Sequence, residues 1–128
     1  MKKILVVDDE KQIRIDLSEM LMEAGYEVSH VGSGIEALEK IKKEDYGVVL
    51  ADIKMPGMSG MELLLEIKRL KPQIRVIMIT AFASTKSAVE AMKKGADDYI
   101  SKPFRIDEVE AAVKRVLEEA KFSENPAE

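Results

Sequence analysis

The 128-residue chain predicts a single α/β domain, a parallel sheet with helices on both faces in three layers. Three observations predict it. Aliphatic runs at residues 4–7 and 48–51 show no polar alternation, so they call for apolar contact on both faces, as strands inside a parallel sheet receive. Between such runs lie stretches with apolar residues at helical spacing, so strand and helix alternate five times. The third observation is positional: nearly every strand ends in a polar residue, and in an open parallel sheet those ends share one edge.

The first run closes in Asp8, Asp9 and Glu10. The helix after it carries Ile13, Leu17, Met20, Leu21 and Ala24 at helical spacing and is stopped by Gly25. Residues 26–31 mix apolar and polar side chains in near alternation, which marks an edge strand with one wetter side. His30, the only histidine, falls on that strand and is expected to be partly buried and structural. Ser33-Gly34-Ile35-Glu36 reads as a capping box opening a helix that buries Ala37, Leu38 and Ile41. After the third strand Pro56-Gly57 turns the chain, and Ser59-Gly60-Met61-Glu62 is a second capping box. Its helix buries Leu63, Leu64, Ile67 and Leu70 and ends before Pro72.

The fourth strand, residues 75–79, delivers Thr80 to its tip. The following helix has a thin apolar face, Ala88, Val89 and Met92, before Gly95. At roughly 25 cal/mol per Å² buried, it should be the most loosely docked of the set. Asp97-Asp98 reads as a solvated turn into a short fifth strand over 98–101. The last helix presents Val109, Ala112, Val113, Val116, Leu117 and Ala120, so the domain occupies residues 1–120, with 121–128 a tail or the start of a linker. Aliphatic first and third strands belong at the centre and the mixed second strand at an edge, which favours the order 2-1-3-4-5.

A formal charge of −4 with acids spread along the chain gives a nucleic-acid surface no electrostatic support, so no direct nucleic-acid contact is expected. The absence of cysteine excludes disulfides and thiolate metal sites. The N-terminal apolar run is too short for a signal peptide or a membrane span, so a cytoplasmic protein without membrane contact is expected.

Asp52, at the tip of the third strand, is the residue to explain. Taken alone it could simply cap the loop that follows. Parallel strands, however, would bring Asp8, Asp9, Asp52, Thr80 and Lys102 to one edge. Three carboxylates there need a cation, and with neither cysteine nor histidine at the tips the ion is a hard one, Mg²⁺ or Mn²⁺. Mg²⁺ commonly pairs with phosphate oxygens, so a phosphoryl group is the expected visitor, with Thr80 and Lys102 placed to contact it.

These residues, with Met55-Pro56-Gly57 after Asp52, Thr80-Ala81, and Tyr99-Ile100-Ser101-Lys102-Pro103-Phe104, resemble the receiver domains of two-component response regulators. The resemblance implies a flavodoxin-like fold in which Asp52 accepts a phosphoryl group from a sensor histidine kinase or a small acyl phosphate. It implies that Asp9, Asp52 and the Lys54 carbonyl bind Mg²⁺ directly, that Asp8 helps through water, and that Thr80 and Lys102 hold the phosphoryl group. It also implies a cis Lys102-Pro103 bond, the one context where cis costs only about 0.5 to 1 kcal/mol. Tyr99 would swing inward on activation and the fourth helix, fifth strand and fifth helix would change as the output surface.

Lys54 and Phe82 flank the phosphate by the same resemblance and tune its hydrolysis; Phe82 cannot orient a water, so slow self-dephosphorylation is expected. Such a chain is a phosphoacceptor that promotes its own phosphorylation and dephosphorylation, not a turnover enzyme. The wording of residues 79–83 and 88–96 resembles receivers preceding AAA+ transcription activators, which often dimerise; a stand-alone receiver acting by protein contact is the alternative.

Two rivals from other classes are weaker. Gly32-Ser33-Gly34-Ile35-Glu36-Ala37 fits a dinucleotide fingerprint, but it follows an edge strand and leaves the acidic tips unexplained. An aspartyl-nucleophile phosphohydrolase resembling the haloacid dehalogenase class would use Asp8 and Glu10 with Thr80, a lysine and Asp97-Asp98, but here that acidic pair precedes Lys102 and the first motif lacks its second aspartate.

Overall fold

The computed structural model describes residues 3–81 and 83–123, with side chains to residue 119. Five strands, β1 (Lys3–Val7), β2 (Glu27–Val31), β3 (Val48–Ala51), β4 (Arg75–Thr80) and β5 (Asp98–Ser101), alternate with five helices. These are α1 (Lys11–Glu23), α2 (Gly34–Lys43), α3 (Gly60–Leu70), α4 (Thr85–Lys93) and α5 (Ile106–Ser123). All strand pairs are parallel and the sheet order is β2-β1-β3-β4-β5, as the strand composition predicts.

Each central strand splits its side chains between two cores. Leu5, Val7, Val49, Ala51, Val76 and Met78 face Ala37, Ile41, Leu63, Leu64, Ile67 and Ala91 on one side. Ile4, Val6, Val48, Leu50, Ile77 and Ile79 face Leu17, Leu21, Val109, Val113 and Val116 on the other. That two-sided burial explains the unalternating runs, and it leaves only the strand ends to carry polar groups.

Local rules hold with differences of detail. Ser33 accepts from the Glu36 N–H, but the returning bond of a capping box is absent there, whereas Ser59 and Glu62 make both arms. Ala24 is the exposed residue capping α1, and Leu38 and Leu70 are half-buried. His30 does lie on the edge strand, yet it is exposed: β2 has a neighbouring strand on one flank only, so water reaches it from the other. Ala120 and the tail belong to the span whose side chains lie outside the described residues, as does all of Phe82 and of 124–128.

Two further expectations are corrected. Val89 and Met92 each stand 48% exposed, and the residue that docks α4 is Ala91, flanked by half-buried Ser87 and Ala88. The face is therefore rotated and still thinner than its composition suggested. Asp97 is no solvated turn: it is 14% exposed, pairs with Lys68 at 3.1 Å and Arg75 at 3.3 Å, and accepts from the Val76 N–H at 2.8 Å. Lys68 also donates to the Ile74 carbonyl, so these charges bind the end of α3 to the starts of β4 and β5, at the sheet edge opposite the strand tips. Asp98 lies within β5 and pairs with Arg115 of α5.

Candidate functional site

The site is built from two strand tips of identical construction. Val7 and Ala51 are direct neighbours in the sheet, so Asp8 and Asp52, each one residue further on, leave adjacent strands side by side. In both, one carboxylate oxygen accepts from the backbone N–H two residues later: Asp8 Oδ1 from Glu10 at 2.9 Å, Asp52 Oδ1 from Lys54 at 3.2 Å. These are Asx turns that bend the chain away from the sheet. The remaining oxygen of each faces Lys102 Nζ, at 2.7 Å for Asp8 and 2.9 Å for Asp52. Capping the loop and presenting a charge are thus carried by different oxygens of one side chain.

Lys102 reaches them from the far side of β4. Its N–H donates to the Thr80 carbonyl at 2.8 Å, extending the β4-β5 ladder by one bond, and the Lys102-Pro103 peptide that follows is cis. The three side chains are at most 10% exposed. Burial works against the ammonium, but its bonds to Asp8 and Asp52 outweigh that and hold Lys102 above the usual lysine range. Thr80, at the β4 tip, is fully buried; Ala81, which follows it, is exposed, and so is Lys54 after the β3 tip.

Asp9 completes the cluster from the exposed rim, its carboxylate oxygen lying within 4.8 Å of oxygens of Asp8 and Asp52. Three carboxylates against one ammonium leave a formal charge of −2, which a single divalent cation neutralises. All the donors are oxygens, the choice of Mg²⁺ over softer metals, so the residues fit such an ion. A groove of about 420 Å³ lined by Ile13, Ala81, Lys102, Pro103 and Phe104 opens next to the lysine.

Gly60 is a site residue that sequence reasoning passed over as part of a capping box. A Cβ there would stand 2.1 Å from the Asp52 carbonyl oxygen and 2.7 Å from the Ile53 Cα, and the Gly60 N–H donates to the Ile53 carbonyl at 2.7 Å. The start of α3 is therefore laid directly on the backbone that carries Asp52. The signal was a glycine at the first position of a helix, where it has no conformational task. Gly32 and Gly34, by contrast, are packing glycines closed over by Arg14 and Met58, so the fingerprint motif offers no bare backbone cradle.

Tyr99, on β5 three residues before Lys102, is half-buried under α4, its hydroxyl 2.6 Å from Ser87 Oγ.

A doubly wound sheet with paired acids and a lysine at its switch-point edge defines an α/β domain made to receive a charged ligand at the strand tips. The chain belongs to the response regulator receiver domain family, whose model matches residues 4–114. It is 41% identical over 123 residues to the transcriptional regulatory protein ZraR of Klebsiella oxytoca, covering 96% of this chain and 28% of that protein. It is also 41% identical over 116 residues to sporulation initiation phosphotransferase F of Bacillus subtilis, covering 91% of this chain and 94% of the relative. Among solved structures it resembles the response regulator TrrA of Thermotoga maritima in complex with Mg²⁺-BeF, at 42% identity and a TM-score of 0.83, covering 91% of this chain and 99% of that one. The chain thus spans little more than a quarter of ZraR and nearly all of the phosphotransferase. Among the described residues no helix is long and apolar enough to cross a membrane.

Proposed function

We propose that this receiver is switched by phosphorylation of Asp52. The observation that carries the reading is the convergence of Asp8, Asp52 and Lys102 within hydrogen-bond distance at the one edge where the sheet can meet a ligand. A phosphohistidine of a sensor kinase, or a small acyl phosphate, donates the group: a bond from an Asp52 oxygen to phosphorus forms as the bond from phosphorus to the donor breaks. Lys102 then turns from the carboxylate to a phosphoryl oxygen, and the Thr80 hydroxyl takes another. Asp8, Asp9, Asp52 and the Lys54 carbonyl would hold Mg²⁺, or Mn²⁺, which supplies neutralisation of the charge that gathers on the transferred group. The TrrA complex with Mg²⁺-BeF supports this assignment by likeness.

The product carries about two negative charges where there was one. Thr80 is drawn toward it, Tyr99 follows, and α4, β5 and α5 present a changed surface to an output domain or a second copy. Likeness to ZraR supports transcriptional control; residues 1–120 are then the receiver and 121–128 a tail or the start of a linker. Likeness to the phosphotransferase, of which the chain spans 94%, supports the stand-alone reading instead.

Asp52→Asn is expected to abolish labelling by radioactive acetyl phosphate in Mg²⁺ while leaving the fold intact. Undiminished labelling of the variant would overturn the proposal.

A further inference from the structure

The connection from β1 to α1 is closed on itself by three bonds. Asp8 Oδ1 accepts from the Glu10 N–H, the Arg14 N–H donates to the Glu10 carbonyl at 3.2 Å, and Arg14 Nη1 donates to the Asp8 carbonyl, also at 3.2 Å. The half-buried Arg14 lays its guanidinium on the backbone of Gly32, just past β2. A Cβ at Gly32 would stand 3.2 Å from Nη1, 3.4 Å from Cζ and 3.6 Å from Nη2, so the plane occupies the place a larger residue would need. Gly32 is not one of the left-handed glycines, and space is what it supplies. The Asp8 N–H is tied in turn to the Val31 carbonyl at 3.3 Å. Asp8 thus has its N–H, its carbonyl and both carboxylate oxygens engaged. Asp9, next in the chain and the third acid of the cluster, stands exposed with no side-chain hydrogen bond among the described residues.

From this geometry we infer that Arg14 is a positioning residue for the divalent cation: by holding the carbonyl between Asp8 and Asp9 it aims the one carboxylate of the cluster that no other bond orients. The inference rests on the metal-assisted reading above. A peptide unit is planar and rigid, so a carbonyl pinned on one side fixes where the next Cα, and with it the Asp9 side chain, departs. The partner of Arg14 is a carbonyl rather than a carboxylate, which leaves the acid oxygens to the metal. A planar guanidinium can lie flat on a glycine while its edge donates, and a lysine ammonium cannot. Charge alone predicts the reverse effect, because a cation beside the site repels an incoming Mg²⁺ and its removal would tighten binding. Orientation and charge therefore push metal affinity in opposite directions, and the sign of the change separates them.

The test titrates Mg²⁺ into metal-stripped wild type, Arg14→Met, Gly32→Ala and the double variant, following the ¹⁵N amide signals of residues 8, 9, 52 and 54, with a urea midpoint measured for each protein in chelator. Arg14→Met should weaken Mg²⁺ binding about tenfold, as loss of a group that orients metal ligands does. Gly32→Ala keeps the charge and only pushes the guanidinium aside, so it should weaken binding in the same direction by roughly threefold. With Arg14 gone the new methyl has nothing to displace, and the double variant should bind Mg²⁺ as Arg14→Met does. Gly32→Ala carries the test even where Arg14→Met fails to fold. If wild-type signals ignore Mg²⁺, the metal-assisted reading falls and the inference with it. If they respond but a folded single variant binds Mg²⁺ as tightly as wild type or more tightly, whatever its urea midpoint, or if the two substitutions add, the role of Arg14 alone is refuted.

Discussion

Gly60→Ala tests how Asp52 is held in place. The added methyl would stand 2.1 Å from the Asp52 carbonyl oxygen, whereas a carbon and a carbonyl oxygen in contact keep about 3.3 Å. The separation must grow by more than about 1 Å, and neither side yields easily. Ile53 Cα and the Asp52 carbonyl carbon stand 2.7 and 2.8 Å from the same point, the Ser59 and Glu62 capping box fixes the helix start, and the Asp52 N–H is tied to the Val7 carbonyl. Forcing backbones apart in a packed region costs about 2 to 4 kcal/mol, read as a lower urea midpoint. A displacement of about 1 Å at the reacting carboxylate should slow acetyl phosphate labelling roughly 100-fold. Gly57→Ala is the control: Gly57 has φ 75° with open space around it, so alanine there meets only the left-handed backbone penalty of about 1 kcal/mol, and labelling should stay near wild type. A Gly60→Ala protein with wild-type midpoint and labelling rate would refute the reasoning.

Lys102→Met removes the cation between two buried carboxylates, so in chelator it should unfold about 3 kcal/mol more easily, and Mg²⁺ should restore more stability than it adds to wild type. Equal Mg²⁺ responses in urea titrations would contradict this. The same pair of proteins reports the pH dependence. The Lys102 pKa is raised in the fold, so its contribution is complete below about 10.5 and is lost as pH climbs through the higher folded value. The stability gap between wild type and Lys102→Met should stay level from neutrality to about pH 10 and narrow above it; narrowing by pH 9 would be inconsistent with that sign. Asp97→Ala leaves Lys68 and Arg75 half-buried without their carboxylate and should lower stability by about 2 to 3 kcal/mol without slowing labelling of Asp52 at the opposite sheet edge. A urea midpoint within error of wild type would show that the cluster contributes nothing.

What could be read from sequence here follows from what a side chain's identity constrains. Strands buried on both faces leave little freedom in composition, so the runs at 4–7 and 48–51 announced the sheet centre, and a polar residue just past such a strand's C-terminal end lies on the edge the site uses. Where a residue has two outlets, sequence could not choose. Asp97 next to Asp98 has the composition of a solvated turn, and only the approach of Lys68 from α3 and Arg75 from β4 makes it a half-buried anchor. On α4, Val89 and Met92 are the more apolar choice, yet Ala91 is the residue that joins the core with Ala96 and Tyr99, and composition alone does not say which face of a thinly apolar helix turns inward. The capping box that Ser84 and Ser87 form at the start of α4 escaped the usual template, which expects a longer acid or amide at the third position. Asp52 shows why the choice between loop cap and functional carboxylate was badly posed. A carboxylate has two oxygens, and the turn at Lys54 occupies one while aiming the other at Lys102. The bond that looks structural orients the group, and Asp8 repeats the device one strand away. Capping at a strand tip is therefore no alternative to presenting a charge: in both acids the turn fixes one oxygen and leaves the other at Lys102.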